Sequence, residues 1–237
     1  MTELLYLNDT YLFQAQANIV EISNDEFGDY VVLDQTIFYP QGGGQPADNG
    51  SINADNFSFK VSHVVLTPES EVRHYGESSG DLVEGEVNLN VDESRRVLNA
   101  KLHSAGHLLD CAVAELGLKI KPTKGFHFPV GTYVEYEGVL ENGNQYKGPL
   151  EVIINRMVED DIPIVVKDLD SKEAEKEGIK APEGKSARFV EFEGHVGCGC
   201  GGTHIDSSKG LGRIVIRKLK SKKGNTKISY ALEDYPI

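Results

Sequence analysis

Several residue types that often decide how a protein is stabilised are scarce in this chain. Its 237 residues include three cysteines, two methionines and no tryptophan. Three thiols cannot make a framework of disulfides, so the fold must depend on hydrophobic cores, for which this length is sufficient. No stretch approaches the roughly 18 apolar residues of a membrane span, and no basic segment followed by an apolar run opens the sequence. These absences favour a soluble, cytoplasmic globular protein.

Negative charge is missing from one part of an otherwise acidic chain. The formal net charge is -13, which argues against indiscriminate attraction to nucleic-acid phosphates. Residues 207–232 nevertheless contain no Asp or Glu. The cations of this segment are Lys209, Arg213, Arg217, Lys218, Lys220, Lys222, Lys223 and Lys227. Two interpretations stay open: a solvated pair of strands, or a surface that contacts phosphates.

Short alternating segments dominate the first ninety residues. Apolar and polar residues alternate with the period of a half-buried strand, and Gly, Asp and Asn separate the segments. The clearest of these segments are residues 10–22, 29–40, 57–66 and 82–91. The pattern predicts a small β-barrel domain over residues 1–90.

A change of period at Asp92 marks the start of a long predicted helix. Asp is a favourable N-cap residue, and Gly117 ends the pattern as a glycine at a helix C-terminus does. Between them, apolar residues recur at steps of three and four: Leu98, Leu102, Ala105, Leu109, Ala112 and Leu116.

Mixed elements follow the helix. Strands are predicted over residues 131–140 and 161–169, and a Glu- and Lys-rich helix over 171–178. Residues 212–220 and 226–232 read as a closing hairpin. We therefore predict an α+β fold, in which the barrel is followed by an α+β domain over residues 91–237.

Two pairs of metal-binding residue types stand out. His103 and His107 lie one helical turn apart, and Cys200 and His204 flank three residues that include two glycines. Three imidazoles and one thiolate form a typical set of zinc ligands. Each pair alone has an ordinary alternative. The histidines could solvate a helix, and the second pair could be a glycine-rich turn with a buried thiol.

The helical phase of the histidines separates them from the apolar stripe. At 100° per residue, both point roughly 140° to 180° away from its centre. Their neighbours on that side are small or polar, which would leave room for a metal or substrate: Arg96, Ala100, Cys111 and Ala114. Gly106 costs the helix about 1 kcal/mol relative to Ala, so we expect another group to approach closely there.

Other candidate ligands stay ambiguous. Cys198 could replace Cys200 as a ligand or lie beside the site, because spacing alone does not distinguish these cases. Four histidines are isolated in the sequence and are interpreted as surface or hydrogen-bonded core residues: His63, His74, His127 and His195.

A glycine-rich loop forms a second candidate site in the barrel half. Thr36 lies in a predicted strand, and Gly42, Gly43 and Gly44 precede Gln45. Three glycines could mark only a flexible hairpin loop. They could also let a ligand approach the backbone, where the Gln45 amide would donate and accept hydrogen bonds.

Four blocks together resemble the AlaX family, free-standing relatives of the editing domain of alanyl-tRNA synthetase. The blocks are LDQTIFYPQGGGQPADNG, RRVLNAKLHSAGHLL, CGGTHI and GLGRIVIRKLKSKKGNTKISYAL. They occur in the order of the family, cover both halves of the chain and fit its medium-length form. In the histidine block Ser104 stands where threonine is common, and Gly106 where a bulkier residue often lies. Neither departure removes a ligand.

The resemblance implies hydrolysis of tRNA(Ala) that has been mischarged with serine, with glycine as a second candidate. It implies one zinc ion per chain, held by His103, His107, Cys200 and His204, with the glycine loop beside the aminoacyl end. We predict Gln45 and Thr36 as catalytic and selectivity residues. Substrate contacts are predicted at Gly42, Gly43, Gly44, Lys218, Lys222 and Lys223.

Two functional classes other than an alanyl-tRNA editing enzyme, and one other substrate for such an enzyme, are alternatives. A metallopeptidase would need a general base such as the Glu of HExxH, which HSAGH lacks. A noncatalytic tRNA-binding module stabilised by zinc stays open, as does editing of a different aminoacyl-tRNA such as a threonyl-tRNA. The sequence leaves monomer and dimer open.

Overall fold

The computed structural model describes residues 1–80, 85–179 and 186–235, in two compact units. The first unit is Met1–Asn99 and the second is Ala100–Ile237, so the division falls within the predicted long helix. Residues 82–84 of the strand predicted over 82–91 lie outside the described residues.

The first unit is built around a closed six-stranded barrel. The strands of this unit are β1 (Glu3–Leu4), β2 (Gln14–Asp25), β3 (Gly28–Leu33), β4 (Gln35–Thr36), β5 (Gly50–Ala54), β6 (Phe57–Leu66), β7 (Val72–Gly80) and β8 (Glu86–Val91). The barrel closes in the order β2-β3-β7-β6-β5-β8, while β1 pairs in parallel with β4. The predicted α+β fold with an amino-terminal barrel is thereby confirmed.

Alternation along the strands fills the barrel. In β6, Phe57, Phe59 and Val61 are buried, whereas Ser58 and Lys60 between them are exposed. Successive side chains of a strand point to opposite faces, so this alternation turns one face of each strand into the core. The periodicity that predicts the strand is therefore the one that packs it.

Helix α1 (Glu93–Glu115) follows the barrel and has the predicted ends. The backbone N–H of Arg95 donates to the Asp92 carboxylate at 3.0 Å, as an N-cap requires. Gly117 has a φ of 68°, and the N–H of Leu118 donates to the carbonyl of Val113 at 3.2 Å. These contacts close the C-terminus in the manner of a Schellman motif.

The buried surface of α1 is wider than one apolar stripe. All five residues at 102–106 are buried, including His103 and Ser104. The side of α1 that carries the histidines is therefore mostly covered by protein. Arg96, Ala100 and Cys111 are buried as well, and of that group only Ala114 is exposed.

The second unit contains two antiparallel sheets and further helices. The elements are β9 (Lys121–Phe126), β10 (Tyr133–Glu137), α2 (Lys147–Glu159), β11 (Ile164–Leu169), α3 (Ser171–Lys176), β12 (Ala187–Phe192), β13 (Gly197–Gly199), β14 (Ile214–Lys222) and β15 (Asn225–Leu232). One sheet has the order β14-β15-β10-β9 and the other β11-β12-β13. None of the helices in the described ranges is long and apolar enough to cross a membrane.

Candidate metal centre

Four side chains of the second unit converge on one point. They are His103, His107, Cys200 and His204, and their potential ligand atoms all lie within 4.8 Å of one another. The Cys200 Sγ lies 3.4 Å from Nε2 of His103 and 3.3 Å from Nε2 of His204. In a tetrahedral zinc site with ordinary bond lengths, sulfur and nitrogen ligands are separated by about 3.5 Å. The donor set and its spacing therefore fit a zinc-sized ion.

Helix α1 and the loop after β13 carry these ligands. His103 and His107 project from successive turns of α1, with ring centroids 5.0 Å apart. Residues four apart on a helix lie on the same face. Cys200 follows the short strand β13, and His204 follows the bend at Gly202. The helix and the loop supply two ligands each.

Arg188 on β12 holds the loop that carries Cys200. Its Nη1 donates to the carbonyls of Cys200 at 2.6 Å and Gly202 at 3.1 Å. In return, the N–H of Cys200 donates to the Arg188 carbonyl at 3.1 Å. The N–H of Gly202 also points to the Cys200 Sγ at 3.3 Å. Sequence reasoning misses Arg188, because nothing local marks it as a partner of residues 200–202.

Burial keeps the imidazoles of the cluster neutral at physiological pH. It lowers the pKa of His103 and His204 well below the ordinary value of 6.5 and that of His107 to about 4. The neighbouring Arg188 guanidinium acts in the same direction on all three. A neutral imidazole has the free lone pair that a metal ligand needs. The three imidazoles are therefore in the protonation state that favours metal binding.

The Cys200 thiol is subject to opposing influences. Burial raises its pKa, while the N–H of Gly202 and the charge of Arg188 lower it. The direction that prevails is upward. A thiolate is the form that binds zinc, so a bound cation would supply the compensating charge.

Ser104 orients the His204 ring. Its Oγ lies 3.0 Å from Nδ1 of His204 and also accepts from the N–H of Ile205 at 3.3 Å. With the proton on Nδ1, His204 donates to Ser104 and presents the Nε2 lone pair to the cluster. Such hydrogen bonds to the second nitrogen fix the tautomer of ligating histidines.

His127 lies against the centre, although its sequence position suggests no role there. Its ring stacks on that of His103 with centroids 4.5 Å apart and planes at 17°. Tyr230 donates its hydroxyl to the Leu102 carbonyl at 2.8 Å and lies 2.7 Å from His127 Nδ1. A Cβ at Gly106 would lie 2.4 Å from Cε1 of His127. The expected close approach at Gly106 is confirmed, and the approaching group is His127.

Cys198 lies at the edge of the cluster. Its exposed thiol is 3.8 Å from Nδ1 of His107, so it is near the centre without belonging to the four converging donors.

His74 of the first unit is a hydrogen-bonded core histidine, as expected for a histidine that is isolated in the sequence. It is fully buried, and burial lowers its pKa to about 4. Its Nδ1 donates to the Val31 carbonyl at 3.0 Å, so Nε2 accepts from the Thr36 hydroxyl at 2.8 Å. Thr36 in turn accepts from the N–H of Phe38 at 3.0 Å. The Thr36 side chain is thus part of a buried network.

The glycine loop of the first unit is an ordered tight turn. Gly42 and Gln45 exchange backbone hydrogen bonds of 3.2 and 2.8 Å, and between them Gly43 and Gly44 have φ values of 53° and 80°. Two successive positive φ values are typical of a type I′ turn, which favours glycine. The Gln45 side chain is buried.

A buried ion pair in the first unit holds the chain on either side of this turn. Asp48 accepts from the N–H of Tyr39 at 2.7 Å and from Nε of Arg96 at 2.9 Å. Arg96 also donates to the Thr10 carbonyl at 2.9 Å. Both charged side chains are completely buried. The sequence marks neither residue as one of a pair, because they are 48 positions apart.

Comparison of the sequence with those of known proteins identifies relatives of this chain. The family model for class II (A) tRNA synthetases matches residues 6–95. The alanyl-tRNA editing protein AlaX-M of Methanosarcina acetivorans is 30% identical over 259 residues, which cover 99% of this chain and all of the relative. The chain belongs to the AlaX family.

Longer relatives contain an AlaX-like region as one part. The alanyl-tRNA editing protein AlaX-L of Pyrococcus horikoshii is 32% identical over 234 residues, and alanine–tRNA ligase of Methanoregula boonei is 34% identical over 206 residues. The chain spans 56% and 22% of their respective lengths. The family resemblance expected from the sequence blocks is confirmed.

The basic segment of this AlaX-family chain forms the predicted hairpin. Lys218 and Lys222 lie on β14, and Lys223 lies in the turn with a φ of 52°. All three are exposed and line a shallow cleft of about 570 Å3 on the sheet. The lysines predicted to bind substrate are thus accessible on one hairpin.

Proposed function

We propose that this AlaX-family chain is a trans-editing hydrolase that removes serine from mischarged tRNA(Ala), with glycine as a second amino acid that it removes. The observation that carries the proposal is the convergence of His103, His107, Cys200 and His204. The relatives named as alanyl-tRNA editing proteins supply the substrate class.

The ligands that we propose for zinc are the four converging side chains. Zinc bound there would organise the site around the aminoacyl ester, and would act on the ester or its attacking water only by accepting a fifth ligand. Because four protein ligands fill a tetrahedral shell, we favour an organising role. The protein side chains prepare the centre: Ser104 holds the His204 ring, and Arg188 holds the Cys200 loop.

The remaining contacts with substrate stay predictions. Gln45 is proposed to hydrogen-bond the aminoacyl group, with Gly42, Gly43 and Gly44 allowing close approach of the backbone. A site that hydrogen-bonds the serine hydroxyl would disfavour alanine, because its own polar group would be left unpaired. Thr36 is proposed for this role. Its hydroxyl already donates to His74 and accepts from Phe38, so it would act through its second lone pair. Lys218, Lys222 and Lys223 are proposed to contact tRNA phosphates.

The decisive experiment measures release of serine from seryl-tRNA(Ala), with alanyl-tRNA(Ala) as the comparison substrate. Wild-type protein should release serine faster than alanine and should contain about one zinc ion per chain. Cys200→Ala removes one of the four donors, so hydrolysis and zinc content should fall together, by at least about 100-fold for hydrolysis. Cys111→Ala is the matched control, because that thiol is buried on α1 outside the cluster.

The other outcomes distinguish the competing functions. Tight tRNA binding without hydrolysis by zinc-loaded wild type would identify a noncatalytic tRNA-binding module. Hydrolysis that survives complete loss of zinc would contradict metal dependence. Equal hydrolysis of both substrates would contradict the proposed selectivity.

A further inference from the structure

The outer face of the sheet β14-β15-β10-β9 has a defined arrangement of side chains. In the strand registers, Lys218 pairs with Ser229, Ser229 with Tyr133, and Tyr133 with Phe126. Residues opposite one another in paired strands share a face. These four side chains therefore form one row across the sheet, on the side opposite the buried residues.

Two further rows make this face basic. Lys220, Lys227, Glu135 and Lys124 form the second, and Lys222, Asn225, Glu137 and Lys121 the third. Together, the three rows contain six lysines and two glutamates, although the formal net charge of the whole protein is -13. Glu135 accepts a hydrogen bond from the Asn225 amide at 2.8 Å. Such a local excess of cations favours phosphate groups.

An aromatic column adjoins the lysines. The Phe126 ring lies nearly parallel to Tyr133, with centroids 5.2 Å apart at 12°, and to Phe128, at 4.5 Å and 17°. Lys227 Nζ lies 3.6 Å from the Tyr133 ring centroid. All three rings are partly exposed. A cation therefore covers the Tyr133 end of the column, and Phe128 forms the other end.

We infer that this outer face binds unpaired nucleotides of an RNA. Their bases stack on Phe128 at the end of the aromatic column, and their phosphates contact the lysines of the three rows. Aromatic rings next to cations bind single strands because every base offers a face for stacking, whereas a duplex hides those faces. The choice of the unpaired acceptor end of tRNA as the natural ligand rests on the proposed function.

The position of β9 connects this face with the metal centre. Phe126 and Phe128 lie on the outer face, while His127 between them stacks on His103. β9 is an edge strand of its sheet. Residues 126–128 therefore lie between the outer face and the metal centre.

Fluorescence anisotropy with the whole chain tests the inference. The probes are a short fluorescein-labelled single-stranded RNA and a duplex of the same sequence. Phe128→Leu keeps an apolar side chain but removes the ring, so binding of the single strand should weaken on the order of tenfold while duplex binding is unchanged. Phe128→Tyr should retain binding. Phe27→Leu is the matched control, since Phe27 is an exposed ring of the first unit.

The lysines have a separate signature. Lys218→Gln and Lys220→Gln should each weaken single-strand binding and reduce the slope of log affinity against log salt concentration by about 0.7. Zinc content and melting temperature, measured on every variant, verify that folding is intact.

Three results would overturn the inference. One is single-strand binding that is unchanged in Phe128→Leu, and another is an equal loss for duplex and single strand. The third applies even if the variants fail to fold. Ultraviolet crosslinking of the single strand to wild-type protein should label the peptide containing residues 126–133, and labelling elsewhere contradicts the proposed face. Because binding is measured directly, absence of deacylation would leave this inference standing while rejecting the proposed function.

Discussion

Buried histidines serve different purposes in the two units. In the first unit, both nitrogens of His74 are used by the protein itself, one by the Val31 carbonyl and the other by the Thr36 hydroxyl. In the second, nitrogens of His103 and His204 point to the Cys200 thiol at 3.4 and 3.3 Å. Burial alone thus does not identify a ligand, and the direction of the nitrogens does.

The same contrast applies to the other buried polar groups. Asp48 and Arg96 in the first unit form a buried ion pair with additional backbone hydrogen bonds. In the second unit, Ser104 and Arg188 direct their hydrogen bonds at residues of the cluster, and so support its geometry. The first arrangement stabilises a barrel, and the second prepares a binding site.

The largest effect on stability is expected from removing one partner of the buried Asp48–Arg96 ion pair. Asp48→Asn leaves a permanently charged, buried Arg96 without its partner, so the free energy of unfolding should fall by about 3–5 kcal/mol. Asp25→Asn is the matched control, because Asp25 forms a partly exposed pair with Arg73 and should cost at most about 1 kcal/mol. Urea unfolding of both variants measures the difference. Similar losses would contradict the contrast between the two pairs.

The next effect is a dependence of stability on pH from His74. Its folded pKa of about 4 lies below the ordinary 6.5, so the unfolded chain takes up the proton first. The stability contributed by neutral His74 is therefore present above about pH 6.5 and is lost as pH falls toward 4, by up to roughly 3 kcal/mol. His74→Gln should have a shallower loss of unfolding free energy between these pH values, measured in metal-free buffer. A slope equal to that of wild type would refute this assignment.

A smaller effect should follow from filling the space between α1 and His127. Gly106→Ala places a Cβ 2.4 Å from Cε1 of His127, so we expect a loss of about 1–3 kcal/mol in unfolding free energy. Gly201→Ala is a suitable control, because nothing lies within 4 Å of its added Cβ. If the two variants were equally stable, the close packing at Gly106 would be wrong.

The smallest expected effect concerns the hydrogen bond that orients His204. Ser104→Ala removes the partner of Nδ1, so zinc affinity should fall by about tenfold. Competition with a chromophoric chelator measures the affinity, and Ser94→Ala at the exposed start of α1 is the control. Unchanged affinity in Ser104→Ala would mean that the loop alone orients His204.

Local periodicity predicts much of this fold. Strand β6 matches the alternating segment 57–66, and helix α1 begins after Asp92 and ends before Gly117 as expected. The turn of the closing hairpin has positive φ at Lys223 and Gly224, as a tight hairpin turn requires. These features depend on neighbouring residues, which is why sequence patterns reveal them.

Features that depend on distant contacts escape this reasoning. Sequence patterns do not predict helix α2, because its first turn contains Gly148 and Pro149 and a β-branched run follows. His127 looks isolated because its partners, His103 and Tyr230, are brought together only by folding. In the candidate site, the spacing of the four donors is readable from sequence, whereas the supporting roles of Ser104 and Arg188 are not.

X-ray absorption at the zinc edge of the metal-loaded protein would test the converging cluster most directly. Three imidazoles and one thiolate predict about three nitrogen neighbours at roughly 2.0–2.1 Å and one sulfur at roughly 2.3 Å. The sulfur contribution should disappear in Cys200→Ala and persist in Cys198→Ala. A shell with two sulfurs, or one that loses its sulfur only when Cys198 is replaced, would contradict the assignment of Cys200 with the three histidines.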